Sequence, residues 1–242
     1  MLMETSRIEQ LCEDGQDQLS RMEYLDAERT LAAAEEIAWW ARDWDTLSRL
    51  YMPLQEARRQ RRQRCGEGII RLEYLARGPD DALDGRQIVR NTQHGQILVA
   101  GWGSIHPAID ARQAQGESNL YVDVFLAAVY PMGEGRIVAI IPDTGVELPT
   151  IEPMDVDALL RRLPAHSVVL SEPELSAAKT YAATMAIWEQ LHAPFLAAAD
   201  ATVNLIHKIE AYRKTICVDY ACERAHQGIS DTARKLCAGA KA

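Results

Sequence analysis

Apolar residues recur along this chain in two rhythms, and the rhythm changes twice. From residue 5 to 64 the pattern is helical. In "YLDAERTLAAAEEIAWWARDW", Tyr24, Ala27, Leu31, Ala34 and Ala38 fall at three- and four-residue steps, which places them on one stripe of a helix. The same segment is rich in Ala, Leu and Glu, residues that lose little side-chain freedom in a helix. The pattern breaks near Arg42–Asp45, and "TLSRLYMPLQEARRQRRQRC" predicts a further helix to Arg64. Pro53 is expected to kink or restart it, because proline has no N–H and crowds the preceding turn.

From residue 66 to 172 the period shortens and apolar runs appear. "IIRLEYLA" (69–76), "QILVA" (96–100), "LYVDVFLAAVY" (120–130), "RIVAII" (136–141) and "SVVL" (167–170) read as strands. Ile70, Leu72 and Tyr74 alternate with polar residues; the other runs are nearly all apolar, the signature of strands buried on both faces. Short helical stretches fall at 82–92, 105–115 and 154–162. "PMGEGR" (131–136) is a turn, so the third and fourth strands form an antiparallel hairpin. The order β-α-β-α-β-β-α-β predicts a mixed sheet flanked by helices. "PDTGVELPTIEP" (142–153) reads as a loop.

Residues 174–237 return to the helical period. "SAAKTYAATMAIWEQLH" runs up to Pro194, "FLAAADATVNLIHKIEAYRKTICVDYACERAH" follows, and "SDTARKLC" forms a last helix capped by Ser230 and Asp231. The expected class is helix-dominated α+β. Residues 1–65 and 174–242 supply N- and C-terminal helices that pack together, and 66–173 forms an α/β insert with a mixed sheet of about five strands.

The segment "MEYLDAERTLAAAEEIAWWARDWDTLSRLY" resembles a tetratricopeptide-type helical hairpin. It has an aromatic residue, then Ala-Glu three residues on, then Leu and small Ala at the close-packing positions, and an Asp-Trp turn into the next helix. The likeness covers about 45 residues, without the full consensus set. It implies stacked helices that recognise another protein or a second copy of the chain.

Charge and cysteine usage narrow the setting. A net charge of −9 over 242 residues argues against nucleic acid or an anionic membrane as the partner. The longest apolar run, "VFLAAVY" (124–130), is far short of the roughly 18 residues of a membrane span. The N-terminus shows no basic stretch followed by an apolar core, so no signal peptide is expected. Five cysteines, with no C-x-x-C, fit a reduced, cytoplasmic protein.

Three groups of residues carry candidate chemistry. Read as one helix, "VDYACERAH" (218–226) stacks Asp219, Cys222, Glu223 and His226 on a single face, and Glu189 with His192 repeats the Glu-x-x-His step 34 residues earlier. Glu189, His192, Glu223 and His226 are thus candidate metal ligands, as in di-metal carboxylate bundles. If the chain turns near Asp200–Asn204, the two pairs sit about one helix spacing apart, roughly 9–10 Å, too far to share one ion directly. A structural polar seam is the favoured reading, and no cofactor is expected. A nucleophilic Cys222 is disfavoured by the neighbouring charge of Glu223.

The second group follows a buried strand. Gly101, Gly103, Ser104 and His106 lie where a strand meets a helix start, the layout in which backbone N–H groups receive an anion. Glu172, beyond the last strand, is a further candidate ligand contact. No third glycine completes a G-x-G-x-x-G pattern and no G-K-[ST] is present. No cysteine lies between Cys65 and Cys217 to serve as a nucleophile in the insert, and no G-x-S-x-G is found.

The third group is a partner surface. Trp39, Trp40 and Trp44 crowd one helix end, and "EARRQRRQRC" packs five arginines into seven residues, with Arg58, Arg61 and Arg62 among them. The arginines also complement a helix C-terminus and can pair with the acidic "AEEIA" helix. The leading expectation is a non-enzymatic protein-interaction module. The alternative is a small-molecule or nucleotide binder, possibly an enzyme, using Gly101–His106.

Overall fold

The computed structural model describes residues 2–152 and 154–239. It contains ten helices and five strands among the described residues. The chain is α+β and helix-dominated, with one mixed five-stranded sheet. It divides into two compact units: a helical unit from the chain up to Arg62 and from His192 onward, and a sheet unit, Gln63–Leu191.

The helical unit holds α1 (Leu2–Ser20), α2 (Tyr24–Ala41), most of α3 (Trp44–Gly66), the second half of α8 (Tyr181–Ala201), α9 (Leu205–Val218) and α10 (Glu223–Gly239). The stripe read from the sequence is the buried face of α2: Tyr24, Ala27, Leu31, Ala34 and Ala38 are all in the core. Arg42 ends α2 in the left-handed conformation, at φ 54°. Leu31, Leu47, Leu50, Leu54, Leu196, Ile209, Ala225 and Ile229 close one apolar cluster from both ends of the chain.

Neither internal proline ends its helix. α3 continues through Pro53, and α8 continues through Pro194 to Ala201. The lost hydrogen bond is offset by burial on either side: Leu50 and Leu54 around Pro53, Leu191, Leu196 and Ala199 around Pro194. Ser230 lies inside α10 rather than at its start, and its hydroxyl donates to the Ser48 carbonyl at 2.5 Å.

In the sheet unit, β1 (Ile69–Leu75), β2 (His94–Trp102), β3 (Tyr121–Met132), β4 (Gly135–Ile140) and β5 (Val168–Ser171) lie in sequence order across the sheet. β1, β2 and β3 are parallel; β4 and β5 are antiparallel to their neighbours. Helices α4 (Gly85–Asn91), α5 (His106–Gly116) and α6 (Val156–Arg162) cover one face, through Val89, Ala108, Ala111 and Leu159 against Ile97, Val99, Val124 and Leu126. On the other face Trp188 of α8 stacks on Phe125 at 4.2 Å and donates its indole N–H to Gln96 at 2.9 Å. Cover on both faces explains why β2 and β3 are almost wholly apolar. The short helix α7 (Glu172–Ala177) is held by a capping box between Ser171 and Glu174.

Candidate functional site

The "VDYACERAH" stretch is not one helix. α9 ends at Val218, Asp219 caps it, and α10 begins at Glu223. The turn 219–222 therefore separates Asp219 and Cys222 from the face that carries Glu223 and His226. The physical reason is visible in the bonds: the Asp219 carboxylate accepts the Ala221 N–H at 3.1 Å, and its carbonyl accepts the Cys222 N–H at 3.1 Å, which closes a turn in place of another helical step.

A charged network fills the centre of the helical unit. Glu28 of α2 accepts Arg58 Nε at 3.2 Å and Arg61 Nη1 at 2.8 Å. Burial opposes its charge, yet the two guanidinium groups keep its carboxyl below the usual range. Arg58 also meets His226 Nε2 at 3.1 Å. Arginine can only donate, so that nitrogen accepts, and Nδ1–H donates to the Cys222 carbonyl at 2.9 Å. Burial, then the charge of Arg58, lowers the His226 pKa to about 3 and keeps the ring neutral.

Asp219 is the second focus. Arg62 Nη2 donates to it at 2.8 Å, and His192 Nδ1 lies 2.8 Å from its other oxygen. Burial works against its charge; Arg62 and His192 together keep its carboxyl below the usual range. For His192, burial opposes the cation, but bonds to Asp219 and Cys222 raise the pKa to about 10. The two histidines of the repeated Glu-x-x-His step thus end in opposite states, one protonated and one neutral. Both ring nitrogens of His226 are committed, while Glu189 and Glu223 are exposed. Among the described residues no group of three His, Cys, Asp or Glu side chains is placed to hold a metal ion.

The arginines nominated for a partner are internal. Arg58 and Arg61 bind Glu28, and Arg61 and Arg62 lie over the Tyr220 ring at 4.1 and 4.7 Å. The "AEEIA" glutamates pair instead with Arg213 of α9. Trp39 and Trp44 meet edge to face at 5.8 Å, half-buried, and Arg213 stacks over Trp39. Only Trp40 faces solvent, 76 % exposed, with its indole N–H on Glu36 at 2.6 Å.

In the sheet unit, the donors of the glycine turn are already bonded within the fold. Gly103, at φ 59°, gives its N–H to Val129 O at 3.0 Å. The Ser104 N–H reaches Gly101 O at 3.4 Å, and the His106 N–H reaches Ser104 Oγ at 3.2 Å. Pro107 has no N–H, and Ala108 bonds Ile105 O. A phosphate needs these groups outward. Glu172 is bound to Arg136, which also donates to Ala76 O at 3.2 Å.

Two openings lie along β1. A groove of about 710 Å³ is lined by Glu73, Tyr74, Leu75, the Arg77–Asp81 loop and Leu83. A smaller one of about 160 Å³ is lined by Ile69, Arg71 and residues 91–94. β1 is an edge strand, paired on one side with β2. Its outward residues Ile69, Arg71 and Glu73 are exposed. The alternation of Ile70, Leu72 and Tyr74 announced a one-sided strand, but its edge position was not readable from composition.

Comparison of the chain with protein-family models, with curated proteins and with solved structures returned no match. Among the described residues no helix is long and apolar enough to cross a membrane.

Proposed function

We propose that this chain is a non-enzymatic, cytoplasmic interaction protein that captures an extended segment of another protein along the free edge of β1. The observation that carries this reading is the position of the two grooves, which border the two ends of one exposed edge strand. An edge strand presents unpaired main-chain groups that an incoming strand completes, and flanking pockets then select its side chains. The fitting segment sets an apolar residue against Ile69 and an acidic residue against Arg71, while Glu73 is already paired with Lys179. Those two charges also discourage indiscriminate edge pairing, which favours a dedicated partner over self-association. The resemblance of the 22–51 sequence to a tetratricopeptide-type hairpin points to the same functional class.

The reading is tested by placing a photo-reactive amino acid at Ile69 and, as control, at Val203, which is 91 % exposed in the helical unit. Protein adducts from position 69, abolished by Ile69→Lys in a pull-down of the same partner, are the expected result. Equal adducts from both positions refute it. The nucleotide-binding alternative near Gly101–His106 predicts a thermal shift with nucleotides; the interaction reading predicts none.

A further inference from the structure

The connection from β4 to α6 lies over the carboxyl ends of β2 and β3, where an open parallel sheet leaves its ligand crevice. Two contacts place it there. The Pro149 carbonyl accepts the hydroxyl of Tyr130, near the end of β3, at 3.3 Å. Ile151 sits on the glycine turn after β2, so close that a Cβ at Gly103 would come within 2.9 Å of its side chain. Burial alternates along the segment. Val146, Leu148 and Ile151 are half-buried against the apolar cluster of the sheet unit, while Glu147, Thr150 and Glu152 are exposed. The segment thus runs extended, one side in and one side out, without belonging to the sheet. Beneath it Tyr130 is 1 % exposed.

The attachment is made by side chains. Among the described residues no backbone–backbone hydrogen bond involves residues 143–152. The Gly145 N–H goes to the Asp143 carboxylate at 3.1 Å, inside the same turn. Glu152 pairs with Arg162 of α6, and both side chains reach solvent, where an ion pair holds weakly. A segment fixed this way opens without breaking a ladder, and a long connection with no helix or strand of its own often serves as a lid. We propose that residues 143–152 form a releasable strap, which as folded stops the crevice at the carboxyl ends of β2 and β3 and on release opens it to small apolar molecules. Release frees the Tyr130 hydroxyl and uncovers the apolar cluster around it, and leaves the pairing of β1 to β5 intact. The inference is independent of the capture reading at β1.

The strap carries its own reporters. A glutamate-specific protease has sites at exposed Glu147 and Glu152 within it, and at exposed Glu73 within the ladder of β1. Full-length protein is digested under native conditions and the cuts are timed by peptide mass spectrometry. Cleavage at Glu147 is expected well before cleavage at Glu73, because it needs only local opening. Leu148→Ser and Ile151→Ser loosen the strap and leave its floor untouched. Each is expected to speed the Glu147 cut by about tenfold with the Glu73 cut unchanged. The fluorescence of anilinonaphthalene sulfonate, an apolar dye, is expected to rise in the same uncut variants while their urea midpoints stay near that of the unmodified protein. Glu147 cut no faster than Glu73 overturns the proposal, since the segment then opens only with the whole unit. Equal Glu147 rates in the three proteins overturn it as well, since the apolar side chains then hold nothing closed. Faster cleavage with no gain in dye fluorescence shows that no crevice opens, and also overturns it.

Discussion

At the scale of single residues, His192 and His226 pull stability in opposite directions with pH. The folded pKa of His192, about 10, lies above the ordinary 6.5, so its contribution is complete below about pH 6.5 and fades as pH rises toward 10. The folded value of His226, about 3, lies below 6.5, so its contribution is intact above about pH 6.5 and is lost as pH falls toward 3. Together they place a stability maximum near neutrality, with limbs of about 1.4 kcal/mol per pH unit. Denaturant melts across pH are expected to lose the alkaline limb in His192→Gln and the acid limb in His226→Gln. Arg62→Ala removes the cation from buried Asp219 and is expected to cost about 3–5 kcal/mol in a urea melt. None of these roles was legible from spacing. The four-ligand face assumed an unbroken helix through Asp219, where the carboxylate bonds its own following backbone and turns the chain.

At the scale of elements, most of the fold was written in the periodicity. The α2 stripe, five strands and the antiparallel hairpin at 131–136 follow from apolar spacing and turn residues, whereas the turn near residue 202 was one of two alternatives that spacing left open. Pro194 misled for a definable reason: its local cost is small beside the apolar burial that carries α8 past it. Glycine 228 makes a sharper element-scale test. A Cβ there meets the Tyr212 ring at 2.4 Å, and the Tyr212 hydroxyl is tied to Asp200 at 2.7 Å. Gly228→Ala is expected to destabilise by about 1–3 kcal/mol although alanine is the better helix former. Gly116→Ala, at the open end of α5, is expected to be neutral or stabilising by up to about 1 kcal/mol. Chemical denaturation of both variants checks the pair.

At the scale of the molecule, a helical unit and a sheet unit each build their own core. The groups nominated from the sequence are occupied: the partner-surface arginines Arg58, Arg61 and Arg62 by the carboxylates of Glu28 and Asp219, and the glycine-turn N–H groups by Val129 O, Gly101 O and Ser104 Oγ. The edge of β1 is exposed, and this was hidden because edge position depends on strand order, which no local pattern encodes. A thermal-shift panel of nucleotides and phosphometabolites is therefore expected to stay within about 1 °C of the free protein, since a ligand at a hundred times its Kd adds roughly 2.7 kcal/mol and moves Tm by several degrees. The most direct measurement is photocrosslinking from position 69 in β1 against position 203 in the helical unit. Protein adducts confined to position 69 and lost with Ile69→Lys are the predicted result; adducts of equal yield from position 203, or none from position 69, contradict capture at the β1 edge.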